Sequence, residues 1–267
     1  MIIIIMAGGM GKRMESNLPK VLHKVTHPQN HNINYPMLIH IILTSMNLIP
    51  NPNKIFIIVG KFREIISDEI NKYIKDGIIT KPELIEYIDQ ENAMGTGHAI
   101  KCCLNNIGQY LNEKALILSG DVPLIKTNIL NDLLDGNGNT NTNTNKLLIT
   151  KLTNPFGCGR ILLNSEGNII GIREEKDCSS DEKNIDLVNC GIYQIIVRDL
   201  VNLIPLITNN NKSQEYYLTD IVDLMIKNNI ELKTSLLPVE SQYQIKNVNT
   251  KKDLDELNNY VKNNLFD

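Results

Sequence analysis

No run of eighteen apolar residues occurs anywhere in this 267-residue chain, so no membrane-spanning helix is expected. Charge of neither sign dominates: 27 Lys and Arg stand against 30 Asp and Glu, a net of −3. Without a basic tail or run, a nucleic-acid or membrane-surface role is not expected. Cysteine is sparse and unpatterned. Cys102, Cys103, Cys158, Cys178 and Cys190 are odd in number and contain no C-x-x-C, which points to reduced thiols. His27 and His31 lie four apart with no third ligand nearby, so a zinc site is not expected. The apolar start Met1–Ile5 is too short for a secretion signal and lacks a basic lead. A cytoplasmic protein is the expectation.

What the chain does carry is an opening of unusual character. Met1 to Met6 is a short, mostly β-branched apolar run ended by glycines, which reads as a buried parallel strand. Ala7, Gly8, Gly9 and Gly11 follow, then Lys12 and Arg13, then Pro19 and Lys20. Glycines let a backbone approach a ligand closely, and successive N–H groups in such a loop form a concave anion site. The ligand this suggests is a polyphosphate at the C-terminal edge of a parallel sheet. Two other glycine loops fail here. The dinucleotide fingerprint would need glycine at Met14, and the P-loop would need glycine at Met6 and Ser or Thr at Arg13.

Strand-like runs at 54–59, 84–89 and 114–119 alternate with helical segments at 37–48, 62–75, about 96–105 and on to Asp135. That alternation predicts a Rossmann-like, doubly wound α/β fold with a mixed, mainly parallel sheet. Polar residues 26–36 read as a surface loop, and the Asn/Thr-rich stretch 136–145 as a surface insertion. The second half changes to hairpins. A strand at 146–151 leads to a hairpin after Gly157-Cys158-Gly159-Arg160, a strand at 187–197, a helix from 215 to 227, a strand at 230–236 and a helix at 251–264. The hairpins predict a small β lobe on the sheet. No linker divides the chain, so one domain over 1–267 is expected.

Several strings along this frame carry chemistry. Asp121 closes a strand inside G-D-V-P-L, where a carboxylate can hold Mg²⁺. Gln90 precedes G-T-G-H-A, and an amide suits the edge of a base. Gly95 would let that loop press on a flat ring. Asn249, by itself, reads as a helix N-cap.

Together these strings resemble the sugar-phosphate nucleotidyltransferases. L-P-K-V-L-H at 18–23 is closest to the uridyltransferase domain of the bacterial bifunctional uridyltransferase/acetyltransferases. The later strings GCGRI, IREEKD, NCGI and EYYLTD stand in the family's order. The resemblance implies the nucleotide-diphospho-sugar transferase fold and Mg²⁺-dependent transfer of UMP from UTP to N-acetylglucosamine 1-phosphate, with pyrophosphate released. It implies Arg13, Lys20 and Asp121 as catalytic residues, with Asp121 and Asn249 holding the metal. Met6, Ala7, Gly8, Gly9 and Gly11 would meet the nucleotide, as would Gln90, Gly95, Thr96, Ser119 and Gly120. Gly159, Glu174, Asn189, Tyr217 and Thr219 would hold the sugar. Residues 1–150 would then form the nucleotide half, 151–250 the sugar half, and 251–267 a closing helix.

Departures are visible too: Gly8 replaces the usual Ala, Lys12 the usual Thr, Ser119 a frequent Tyr, and Thr250 an Asn. No hexapeptide repeats follow, so only the uridyltransferase half is implied. The alternatives are a pyrophosphorylase for another sugar 1-phosphate or nucleotide, or a non-catalytic nucleotide-sugar-binding homologue.

Overall fold

The computed structural model describes residues 1–9, 11–135 and 144–264. Its centre is β1 (Ile2–Met6), whose neighbours are β4 (Lys54–Val59) on one side and β6 (Lys114–Ser119) on the other, both parallel. Beyond β4 lies β5 (Ile85–Asp89); beyond β6 lie β10 (Leu187–Ile196), β7 (Asn145–Lys151) and β11 (Leu232–Leu236). Only β10 runs against the others on this path, since it is antiparallel to both β6 and β7 while β11 is parallel to β7. The mixed, mainly parallel sheet expected from the sequence is therefore present. A hairpin of β8 (Arg160–Leu163) and β9 (Ile169–Arg173) joins it through β8, which pairs with β10 at Val188.

The four-isoleucine run exists because both faces of β1 are covered. Ile3 and Ile5 face one apolar layer with helices α1 (Met37–Met46), α2 (Arg63–Lys75) and α4 (Thr127–Asp135). Ile2 and Ile4 face the opposite layer with α3 (Thr96–Ile107), α5 (Val197–Leu203) and α6 (Asp220–Lys227). Each fully buried Ile contributes roughly 1.5–3 kcal/mol. A strand buried on both sides has no polar face to show, so it reads as a continuous apolar run rather than an alternation.

The region 26–36 corrects the sequence reading. It is no surface loop but most of a hairpin, β2 (Lys24–His27) paired with β3 (Asn30–Pro36). Along β3 the Asn residues 30, 32 and 34 are exposed while His31, Ile33 and Tyr35 are half-buried, the period of two that marks a strand. Helix α7 (Lys251–Asn263) lies against it, with the Asn258 side chain accepting from Thr26 N–H at 2.8 Å. A third, smaller apolar core forms there from Met14, Val25, Met37, Leu124, Val248, Leu257 and Val261. The polar stretch 136–143 lies outside the described residues. Its expected continuation to 145 does not hold, because Asn145 is buried as the first residue of β7, bonded to Asp199 and to Ile196 N–H. The helix expected from 215 begins at Asp220. Among the described residues, no helix is long and apolar enough to cross a membrane.

Candidate active site

Strand order places the site. From β1 the chain steps outward through β4 to β5, then returns to the other side of β1 with β6. The C-terminal ends of β1 and β6 therefore lie side by side, Met6 opposite Ser119. This is the topological switch point of an open α/β sheet, where ligands bind. Gly120 N–H bonds Met6 C=O at 3.0 Å, and a Cβ at Gly120 would come within 3.0 Å of that same oxygen. The glycine loop and the acid at 121 are thus adjacent because their strands are.

Three side chains from distant parts of the sequence meet at this point. The Lys20 ammonium pairs with Asp121 Oδ2 and lies 3.1 Å from Asn249 Oδ1. Ser119 Oγ donates to the other Asp121 oxygen at 2.6 Å. Asn249 is brought in by the backbone: Val248 N–H bonds Asp121 C=O at 3.0 Å. The N-cap of α7 is Thr250, in a reciprocal capping box with Asp253, whose carboxylate also accepts from Asn249 N–H at 3.0 Å. Asn249 is therefore not the cap, and its side chain is free to turn toward Asp121.

The lysine arrives by way of the glycines. Gly11 has φ +56°, and a Cβ there would stand 2.7 Å from Lys20 Cβ, while the Lys20 stem passes 3.9 Å from the Cβ position of Gly9. Part of the glycine requirement is thus the closeness of the protein's own cation. Arg13 is exposed on the same loop and lines a cleft of about 860 Å³ with Met6, Ser119, Thr96 and Asn249.

Of the residues expected to meet a nucleotide, Ala7 and Gln90 are buried. Gly8 is packed so closely that a Cβ would lie 3.1 Å from Gln90 Oε1. The structure gives Gly95 a structural reason besides any base contact. Its φ is +109°, and a Cβ there would meet Tyr216 C=O at 2.5 Å. Tyr216 N–H bonds Met94 C=O, Gly97 N–H bonds Tyr216 C=O, and Thr96 Oγ1 accepts from Leu218 N–H at 3.0 Å. Gly95 and Thr96 therefore clasp the 216–218 segment at the start of α3.

Four of the five sugar candidates cluster at the far end of the cleft: Gly159, Glu174, Asn189 and Thr219. Thr219 donates to Glu174 Oε1 at 2.9 Å, and a Cβ at Gly159 would lie 3.7 Å from that oxygen. Asn189 bonds Tyr193 OH at 2.6 Å and Gly191 N–H at 2.9 Å, which fixes its amide. Tyr217 stands apart from the cleft lining, and burial pushes its phenol above the usual value. The neighbouring Glu175 serves the lobe instead. It pairs with the buried Arg160 at 2.7 Å and accepts from Gly157 N–H at 3.0 Å. Burial pushes the Glu174 carboxyl above its usual range, and Asp220 nearby rises to about 6 through burial and the charge of Asp223.

A raised carboxyl pKa means that ionised Glu174 costs folding stability, a cost absent below its unfolded pKa and growing as pH rises through the folded value. Glu174→Gln is therefore expected to raise Tm at pH 7, with the gain shrinking toward pH 4.5, while turnover falls. Thermal melts across pH check this; a lower Tm at pH 7 would contradict it.

The sequence reading passed over Phe156, 79% exposed at the cleft mouth, and Gln242, Tyr243 and Lys246, which line the cleft just before Asn249. None sits in a string with its own chemical signature. Position next to Asn249 was the one available clue for the last three.

A glycine loop, an ammonium, a carboxylate and an amide oxygen meet at the switch point of a doubly wound sheet, the place where α/β proteins of this class bind ligands. The chain belongs to the nucleotidyl transferase family, whose model matches residues 2–237. It is 41% identical to a protein of Acanthamoeba polyphaga mimivirus named "Probable UDP-N-acetylglucosamine pyrophosphorylase", over 97% of this chain and 96% of that one. It is 34% identical to "Bifunctional protein GlmU" of Legionella pneumophila over 96% of this chain and 51% of that one, and so spans about half the length of such bacterial relatives. A solved Bacillus anthracis structure carrying the name "Putative Glucose-1-Phosphate Thymidylyltransferase" superposes with TM-score 0.70 at 20% identity, covering 100% and 98% of the two chains. That likeness is one of fold.

Proposed function

We propose that this protein transfers UMP from UTP to N-acetylglucosamine 1-phosphate, giving UDP-N-acetylglucosamine and pyrophosphate. The observation that carries the reading is the convergence of Lys20, Asp121 and Asn249 beside the glycine loop, at one end of a cleft whose other end holds Glu174, Asn189 and Thr219. The name of the mimivirus relative, matched almost end to end, supports the choice of sugar and nucleotide.

No protein nucleophile is required, because the sugar's own phosphate oxygen attacks the α-phosphorus of UTP. The protein supplies position and charge. Backbone N–H groups of the glycine loop donate to the phosphate oxygens. Arg13 steadies the leaving pyrophosphate, and Lys20 the charge around the α-phosphate. Gln90 meets the base, and Glu174, Asn189 and Thr219 orient the sugar, with Tyr217 two residues before Thr219 on the same segment.

The donor set suits Mg²⁺. Two hard oxygens, from Asp121 and Asn249, already converge on a positive charge, and Mg²⁺ commonly takes one or two protein oxygens plus substrate phosphates. Among the described residues no three His, Cys, Asp or Glu side chains converge, which accords with a site completed by substrate. When bound, the ion would neutralise charge on the two substrates' phosphates.

The chain is read as one unit, nucleotide-binding over about 1–150 and sugar-binding over about 151–250, acting in the cytoplasm. Incubation with UTP, Mg²⁺ and a panel of sugar 1-phosphates, reading pyrophosphate release, tests this. N-acetylglucosamine 1-phosphate is expected to give the fastest release, and no release with any member would overturn the reading.

A further inference from the structure

Gln90 is buried, 6% exposed, and its amide is fully constrained on one side. Gly95 C=O can only accept a hydrogen bond, so the amide atom 3.2 Å from it is the nitrogen. The same nitrogen lies 3.2 Å from His98 Nδ1. An amide NH₂ has two donors, and here both are taken. The oxygen is what remains. Oε1 turns to the glycine loop, 3.1 Å from where a Gly8 Cβ would be, and among the described residues no donor meets it.

We infer that His98, as the neutral tautomer protonated on Nε2, is a positioning residue that holds the Gln90 amide so that only its oxygen is offered to the base. The inference rests on the reading that Gln90 meets the nucleotide. Its consequence is base selection by hydrogen-bond sense. A pyrimidine with a ring N–H on its pairing edge, such as uracil or thymine, can donate to a fixed acceptor. Cytosine presents a bare acceptor at the same ring position and is refused. A freely rotating amide would offer either group and discriminate little.

The surroundings of His98 keep Nδ1 an acceptor. The imidazole sits on the first turns of α3, with the Tyr216 ring 6.1 Å away and tilted 40°. Lys101 Nζ lies over that same ring, 5.8 Å from its centre. Burial and the Lys101 charge hold the imidazole pKa below its usual value, so the lone pair is present at neutral pH. Cys102 Sγ is 3.8 Å from Nδ1, a weak donor aimed at the same lone pair. The clasp of Gly95 and Thr96 onto the 216–218 segment fixes the helix start that carries His98.

Removing the Nδ1 acceptor leaves one amide N–H without a partner, a loss of about 1.4 kcal/mol or tenfold. Calorimetric Kd values for UTP and CTP are to be measured on the full chain, as wild type, His98→Leu and His98→Asn. Asparagine keeps an acceptor, Oδ1, at the δ position where His carries Nδ1. His98→Leu is expected to weaken UTP about tenfold and to cut the UTP-over-CTP preference by a similar factor, with affinity for the sugar 1-phosphate unchanged. His98→Asn is expected to recover most of that preference. An unchanged preference in folded His98→Leu overturns the inference, as does a His98→Asn variant no better than His98→Leu.

Nitrogen-15 NMR of histidine-labelled wild type reads the tautomer without any variant. Protonation on Nε2 is expected at pH 7, and protonation on Nδ1 overturns the inference whether or not the variants fold. These are binding and spectroscopic readouts. A wild type that binds UTP with the expected preference yet turns over no sugar phosphate would sink the proposed reaction and leave this inference standing.

Discussion

Replacing Asp121 by alanine is expected to lower pyrophosphate release from UTP and N-acetylglucosamine 1-phosphate by about a thousandfold with Mg²⁺ present. Two substrates that both carry phosphate must be brought together. Unit charges about 4 Å apart repel by roughly 4 kcal/mol at an effective dielectric near 20, and that energy corresponds to about three powers of ten in rate. Among the described residues, Asp121 is the carboxylate that meets Lys20 where the two strand ends lie side by side, with 8% of its side chain exposed. Initial rates of the variant, compared with wild type at saturating substrates, decide the matter. Turnover near the normal rate would remove Asp121 from the mechanism.

Lys20→Met is expected to lose about a hundredfold to a thousandfold in turnover, the scale seen when one preorganised charge stabiliser is removed. It is also expected to melt earlier. The pair of Lys20 and Asp121 is largely enclosed, with 14% and 8% of the side chains exposed. Taking away one partner leaves a carboxylate out of water without its cation, at a cost of up to about 3–5 kcal/mol. Added Mg²⁺ should then raise the variant's Tm by more than it raises the wild type's, because the two oxygens no longer hold an ammonium. Unchanged turnover with an unchanged melt would return Lys20 to the class of ordinary surface cations.

The large features of this molecule were legible because they rest on local rules. Continuous apolar strands alternating with amphipathic helices pointed to the doubly wound sheet, and a glycine loop after the first strand marked the strand ends where the cleft opens. Where polarity was read without its period, the reading failed. Asn30 to Tyr35 looks like a loop by composition, yet its Asn residues alternate with His, Ile and Tyr as a half-buried strand requires. The roles of Gly11 and Gly95 could be guessed only in part. Each glycine makes room for a segment far along the chain, Lys20 in one case and Tyr216 in the other. Glu174 was named by the resemblance, and the fold supplies the local reason, turning it toward Thr219 and its neighbour Glu175 onto Arg160. Asn249 was named by the resemblance but not by its own local pattern. An Asn before a helix looks like a cap, and only the structure shows Thr250 in that position.

The link between Lys20 and Asn249 spans 229 residues. A polypeptide leaving the ribosome can lay down β1, β4 and β6, with their glycine loop, long before Asn249 has been synthesised. Until Val248 docks on Asp121, the glycine loop, Lys20 and Asp121 stand without the Asn249 amide. A chain cut before Asn249 would lack the amide that meets Lys20, so the cluster is complete only once residues 1–249 are all in place.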